Sequence, residues 1–101
     1  MKINFDAPLN DDAGNPALIP GGNGRIFTLG TAACQALLNA TGEEKIDGIE
    51  KHARYQLWKL IQQGGSIDLQ IDDVAKIKRL IGAAFGPLVV GQCWDLLEGA
   101  A

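Results

Sequence analysis

The sequence predicts an α+β fold that is mostly α, with an N-terminal two-stranded β-hairpin packed on about four short helices. Residues 1–30 begin with alternating polar and apolar residues and are then rich in Gly, Pro and Asn, which is typical of strands joined by a turn-rich loop. Residues 31–98 instead repeat apolar residues at spacings of three and four, the period of amphipathic helices. A chain of 101 residues has the usual size of one domain, so we expect a single domain over residues 1–101.

Two short segments predict the hairpin. Residues 2–6 alternate polar and apolar side chains, which places Ile3 and Phe5 on an inward face. Residues 25–29 again have strand propensity, and a long Gly/Pro-rich loop over about residues 9–24 joins the two. Because two strands alone are marginally stable in water, we expect the hairpin to lay its apolar face on the helices.

The first two helices follow from propensity and capping signals. The first is predicted from near Thr31 to Leu38. The second is predicted from Thr41 to about Gln63, with a capping box between Thr41 and Glu44 at its start. Its expected buried stripe consists of Ile46, Ile49, Ala53, Leu57, Leu60 and Ile61.

The last two helices are separated by a Gly-Pro break. Residues 66–69 are predicted as a short extended connector that pairs with the hairpin. A third helix follows over residues 72–85, and Pro87 suits the first position of a fourth helix that ends near Glu98. The buried side of the third helix is predicted to contain Val74, Ile77, Leu80, Ile81 and Ala84.

Charge and hydropathy disfavour nucleic acid and membrane as partners. The chain contains nine basic and twelve acidic residues, which gives a net charge of −3. Duplex binding depends instead on an excess of Lys and Arg that neutralise phosphates. No apolar run approaches the roughly 20 residues of a membrane span, and the chain does not open with a signal-peptide pattern. We therefore expect a cytoplasmic protein with reduced thiols.

The polar inventory predicts no catalytic, cofactor or metal site. His52 is the only histidine, and it has no partners at metal-ligand spacing. Cys34 and Cys93 lie among small or apolar helical neighbours, which favours buried thiols over nucleophiles. The sequence leaves a disulfide between them open. We therefore expect that the protein is not an enzyme and that it needs no cofactor.

A helix-turn-helix over the last two helices is the weakest alternative. The join at Gly86 and Pro87 is short enough, and the third helix carries basic residues. The helix that would enter the major groove, however, contains residues 88–95 (LVVGQCWD), which offer almost nothing to base edges or phosphates. We therefore expect no nucleic-acid partner.

Apolar residues beyond the needs of a small core suggest protein–protein contacts. The candidate contact residues are Tyr55, Trp58, Trp94 and Leu97. Exposed aromatic side chains commonly mark such contacts. The alternative, that these side chains cover the hairpin, has equal weight. Self-association into a homo-oligomer is the simplest partner hypothesis.

Two segments of the chain resemble a group of short proteins encoded by tailed bacteriophages and prophages. The first is MKINFDAPL (residues 1–9), followed by GNP (residues 14–16). The second is IKRLIGAAFGPLVVGQ (residues 77–92), followed by DLLE (residues 95–98). Residues 29–38 and 42–45 also fit, while residues 46–65 and the Gly-rich loop match least.

The resemblance implies a phage or prophage protein that acts by touching other proteins. That group has no firm activity, so the resemblance supplies no catalytic residues. It implies an accessory or assembly protein of the phage particle, located in the cytoplasm of the bacterial host or associated with the virion. The alternative is a binder or inhibitor of a host protein, such as a polymerase subunit or a defence nuclease, with negative charge imitating nucleic acid.

Overall fold

A computed structural model describes residues 1–19, 22–39 and 46–99 of the chain. These ranges contain two strands and four helices. In chain order the elements are β1 (Lys2–Asn4), α1 (Leu29–Leu38), α2 (Gly48–Ile61), β2 (Ser66–Asp68), α3 (Ile71–Ala84) and α4 (Pro87–Glu98). The predicted class is confirmed, since the fold is α+β and mostly α with an antiparallel N-terminal strand pair packed against the helices.

The regular strand pair joins the start of the chain to the connector before α3. β1 and β2 are antiparallel, with Ile3 opposite Ile67. Backbone bonds extend the pair on both sides, from the Phe5 N–H to the Gly65 carbonyl at 3.0 Å and from the Leu69 N–H to the Met1 carbonyl at 2.8 Å. The predicted inward direction of Ile3 and Phe5 is confirmed, because both are fully buried.

The N-terminal hairpin is held by single bridges and not by a second regular strand at residues 25–29. Pro8 lies opposite Thr28, and the Leu9 N–H donates to the Phe27 carbonyl at 2.9 Å. Two features keep this ladder short. Pro8 has no N–H to donate, and the chain turns into α1 at Leu29, although the N–H groups of Leu29 and Gly30 still donate to the Ala7 and Phe5 carbonyls.

The loop within the hairpin folds into two smaller turns and contacts α4. Asn10 bridges Pro16, and Leu18 bridges Ile26. The side-chain amide of Gln92 in α4 clamps the first turn: its Oε1 accepts from the Asn10 N–H at 2.7 Å, and its Nε2 donates to the Asn10 carbonyl at 2.9 Å. The loop is therefore tied to the helical part by both backbone groups of one residue.

α1 lies at the centre of the helical part and packs against α2, α3 and α4. Its N-cap is Thr28, whose hydroxyl accepts from the Thr31 N–H at 3.2 Å, so the helix begins slightly earlier than predicted. Small residues allow the neighbouring helices to approach on several sides. The buried residues of α1 are Leu29, Ala32, Ala33, Ala36 and Leu37.

The buried face of α2 differs from the predicted stripe. Leu57 and Ile61 are buried, but Ile49 is 82% exposed and Leu60 is 40% exposed. Ile49 and Leu60 lie about three helical turns apart, so they share a face next to the buried one. The Thr41–Glu44 capping box lies outside the described residues, and the described helix instead begins after an Asp47 N-cap.

A partly buried charge cluster connects α2 to α3. Arg54 is buried on α2, with its Nε 3.7 Å from Glu50 Oε1. Lys76 of α3 places its Nζ 2.7 Å from the same carboxylate oxygen. Because a buried charge without a partner costs several kcal/mol, about 3–5 by mutational evidence, the Glu50 carboxylate next to Arg54 and Lys76 is an electrostatic link between α2 and α3.

α3 and α4 agree closely with the sequence prediction. α3 buries Val74, Ile77, Leu80 and Ile81, but Ala84 is exposed because the helix ends there. Pro87 is the first residue of α4, which buries Cys93 and Leu97. No helix in the described ranges has the length and apolar character needed to cross a bilayer.

Gly30 provides a test of this packing. It lies in the first turn of α1, where its N–H donates to the Phe5 carbonyl at 2.8 Å, and an added Cβ would lie 2.8 Å from that oxygen. We predict that Gly30→Ala lowers the free energy of unfolding by about 1–3 kcal/mol, because the backbone at Phe5, just after β1, must move away from α1. Urea unfolding monitored by circular dichroism measures the change.

Gly48→Ala is the matched control, because no atom of the residues that the structure describes lies within 4 Å of a Cβ added at this helical glycine. We expect this change to leave the free energy of unfolding unchanged or to raise it slightly. Equal losses in both variants would contradict the close approach of Phe5 to α1.

Candidate functional site

An open groove lies between α3 and α4. Its volume is about 630 Å³, and most of its wall is apolar. Both charged residues in the wall are basic. The residues that line this α3–α4 groove are Ala75, Lys78, Arg79 and Gly82 from α3 and Val90 and Trp94 from α4.

The Trp94 side chain is fixed in this groove by three contacts with α3 and its neighbours. Its indole Nε1 donates to the Lys78 carbonyl at 3.0 Å. The Lys78 Nζ lies 4.7 Å from the ring centroid and also 2.7 Å from Glu98 Oε1. A Cβ at Gly82 would lie 3.3 Å from the indole Cζ2, so the glycine leaves the space that the ring occupies. Trp94 is nevertheless 36% exposed, so it presents a fixed aromatic surface to solvent.

The helix period explains why these residues meet. α3 buries Ile77 and Ile81, and Lys78 and Gly82 each follow one of these residues, so they share the adjoining face one turn apart. In α4, Trp94 likewise follows the buried Cys93. Lys78 and Gly82 were not predicted as site residues. The available signal was a glycine in a helix interior, one turn after a lysine and beside the apolar stripe.

A second aromatic surface lies on α2. Tyr55 and Trp58 stack with ring centroids 5.8 Å apart, and His52 and Tyr55 stack at 6.3 Å. Tyr55 is 45% exposed and has the Lys59 Nζ 5.6 Å from its ring centroid. Trp58 is half-buried against the core. This α2 aromatic row shares no lining residue with the α3–α4 groove.

The predicted contact residues therefore separate into three places. Trp94 lies in the groove, Tyr55 and Trp58 lie in the α2 aromatic row, and Leu97 lies in the core. Leu97 is 0% exposed, which leaves it no surface for a partner. The structure thus divides the predicted site into two surfaces and places Leu97 in the core beside α3.

A second open cleft, of about 490 Å³, lies between the N-terminal segment, α1 and α2. Two of its charged side chains already hydrogen-bond to the backbone of the fold. Asp6 Oδ2 accepts from the Gly65 N–H at 2.9 Å, and Arg25 Nε donates to the Gly22 carbonyl at 3.1 Å. No cluster of three or more metal-ligating side chains occurs within residues 1–19, 22–39 and 46–99.

The two cysteines are free thiols with raised pKa values. Burial raises the pKa of Cys93 to about 11. Burial also raises the pKa of Cys34, and a hydrogen bond from Gln62 Nε2 to its sulfur at 3.6 Å acts in the opposite direction. Both thiols are therefore protonated near pH 7, the state in which cysteine is a poor nucleophile and a poor metal ligand.

Comparison with protein-family models, with curated proteins and with solved structures found no match to this chain. The functional argument therefore depends on the chain's own residues and their geometry.

The cysteine environments predict selective modification. At pH 8 and in the native state, we expect iodoacetamide to modify Cys34 slowly and Cys93 hardly at all, because Cys34 is only partly buried and Cys93 is fully buried. In urea both should react at similar rates. Mass spectrometry of the digested protein measures the rates, and native modification of Cys93 as fast as that of Cys34 would contradict its position in the core.

The raised pKa of Cys93 also predicts a loss of stability in base. The native state holds this proton more tightly than the unfolded chain, whose thiol has a pKa of 9.0. The contribution is therefore complete below pH 9.0 and is lost as the pH rises towards about 11. Urea unfolding at pH 7 and pH 10 should show a smaller loss of stability for Cys93→Ala than for the wild type. Equal losses would show that other groups cause the pH dependence.

Proposed function

We propose that this protein acts by binding another protein through the α3–α4 groove, and not as an enzyme. The observation that carries the proposal is the Trp94 indole, which is exposed and yet fixed by Lys78 and Gly82. A rigid aromatic side chain loses little conformational freedom on binding, and Trp and Arg are enriched among residues that dominate binding energies. Arg79 adds a basic group to the same wall.

The partner is a component of a phage particle, and the protein is an accessory or assembly factor. The resemblance of residues 1–9 and 77–92 to short phage and prophage proteins supports this part of the proposal. Particle assembly proceeds through repeated contacts between identical copies, for which a small protein with one fixed apolar groove is suited. The place of action is then the cytoplasm of the bacterial host or the virion itself.

A host protein is the alternative partner. The groove wall carries the basic Arg79 beside a Lys78 that is paired with Glu98, which favours an acidic segment, and polymerase subunits and defence nucleases are targets of the expected kind. The DNA-binding alternative has less support. α4 carries Asp95 and Glu98 and no basic residue, so phosphates would repel the helix that had to enter the major groove.

The test is a tagged pull-down from infected or prophage-induced cells, with bound proteins identified by mass spectrometry. We predict that the wild type captures virion proteins and that Trp94→Ala reduces the capture at least about tenfold, the effect of losing about 1.4 kcal/mol of binding free energy. Circular dichroism should show that the variant remains folded, since the indole covers the outside of α3.

Tyr55→Ala is the matched control, because it removes an exposed aromatic side chain from the α2 aromatic row. It should capture the same proteins as the wild type. Loss of capture with Tyr55→Ala but not with Trp94→Ala would place the contact on α2 and contradict the groove. If the wild type recovers one host protein and no virion proteins, and Trp94→Ala loses that host protein, the host-binding alternative replaces the role in particle assembly.

A further inference from the structure

The second turn of the N-terminal loop is built on an Asn-Gly pair. Asn23 has a φ of 56° and Gly24 has a φ of 84°. The Arg25 N–H donates to the Gly22 carbonyl at 3.2 Å and closes the turn. Positive φ at both central residues is the pattern of a type I′ turn, for which Asn followed by Gly is a preferred pair. Beyond the turn, the Ile19 N–H donates to the Arg25 carbonyl at 2.9 Å.

An asparagine can lose its side-chain amide to the backbone nitrogen of the residue that follows it. The reaction requires that this nitrogen carry a hydrogen, that it be free of a strong hydrogen bond and that it reach the side-chain carbonyl carbon. A following glycine leaves the approach open because it has no Cβ. Such amides are among the thermolabile groups of proteins. Asn23 is the only asparagine in the sequence that precedes a glycine.

Three other asparagines precede a nitrogen that is engaged or that has no hydrogen. The Phe5 N–H, which follows Asn4, donates to a backbone carbonyl at 3.0 Å. The Asp11 N–H, which follows Asn10, donates to the Asn15 carbonyl at 2.7 Å. Asn15 itself precedes a proline, which has no N–H. The fold therefore protects these three side-chain amides.

The nitrogen of Gly24 is open to reaction. Its N–H makes no hydrogen bond with any residue in the described ranges. Asn23 and Gly24 are both exposed, and no atom of the described residues lies within 4 Å of a Cβ added at Gly24. The remaining asparagine, Asn39, precedes an alanine that lies outside the described residues, and the Cβ of an alanine hinders the approach.

We propose that Asn23 is a deamidation site at which the folded protein converts to an aspartate or isoaspartate form. The Gly24 nitrogen attacks Cγ of Asn23, and a C–N bond forms between them. The bond from Cγ to Nδ2 breaks, and ammonia leaves with the proton that the Gly24 nitrogen gives up. Water then hydrolyses the cyclic imide. Hydrolysis at the side-chain carbonyl gives aspartate, and hydrolysis at the main-chain carbonyl gives isoaspartate.

The two products change the turn in different ways. Both replace a neutral amide with a carboxylate, so the formal net charge of −3 becomes one unit more negative. Isoaspartate also adds a carbon to the main chain, which a two-residue type I′ turn does not accommodate. The isoaspartate form should therefore lose the hydrogen bond between the Ile19 N–H and the Arg25 carbonyl.

The test is storage of the purified full chain at pH 8, followed by digestion and mass spectrometry, with fragmentation spectra that assign each conversion to one asparagine. Asn23 should convert at least about tenfold faster than Asn4 or Asn10, because each factor of ten needs only about 1.4 kcal/mol of difference between the barriers. The conversion should be slower at pH 6, since the attacking nitrogen must give up its proton.

Asn23→Gly is the matched control, because it removes the amide and keeps a residue that adopts positive φ freely. This variant should keep the circular dichroism of the wild type and gain no negative charge during storage. In urea, the rates at Asn4 and Asn10 should approach the rate at Asn23, because their neighbouring N–H groups are released.

Three results would overturn the proposal. The first is a native protein in which Asn23 keeps its amide through storage. The second is native conversion of Asn4 or Asn10 as fast as that of Asn23. The third is a rate ratio that is the same in urea and in buffer, which would contradict the protection of Asn4 and Asn10 by the fold.

Discussion

The close packing around α1 is the constraint on which the rest of the structure depends. Three of its buried residues are alanines, and Gly30 lets the chain after β1 cross its first turn with a hydrogen bond to the Phe5 carbonyl. α2, α3 and α4 all pack against this one helix of ten residues. Larger side chains at Ala32 or Ala33 would separate these layers, and the N-terminal strand pair would lose the surface that buries Ile3 and Phe5.

The same packing leaves surplus apolar and aromatic surface on the outer helices. α3 and α4 use their buried faces for the core, at Ile77, Ile81, Cys93 and Leu97, so Trp94 lies against the outside of α3. Two neighbouring residues of α4 therefore have different roles. Cys93 packs in the core, and Trp94 presents a fixed aromatic ring to solvent. The groove is therefore rigid because it is built on the core helices themselves and not on a loop.

Local signals in the sequence predicted the elements better than their partners. Pro87 and the spacing of Val74, Ile77 and Ile81 identified α3 and α4 almost to the residue, because these signals act within one helix. The pairing of β1 with residues 66–68 joins segments that are more than 60 residues apart, so it depends on the tertiary packing of the whole chain. The sequence predicted residues 66–69 only as an extended connector that pairs with the hairpin. Likewise, Trp94 was identified by its size, but Lys78 and Gly82 contribute through contacts between two helices. The prediction that Ile49 is buried was wrong, because an apolar residue at a helical spacing can lie on the face next to the buried one.

The clamp between Gln92 and Asn10 has a thermodynamic consequence. Two hydrogen bonds connect the middle of α4 to the first turn of the N-terminal loop, and Gln92 directly follows the exposed Gly91. Separation of this turn from α4 therefore requires that both hydrogen bonds break. A ligand that binds only when these two hydrogen bonds are formed therefore stabilises the turn, and any interaction that stabilises the turn favours that ligand by the same coupling free energy.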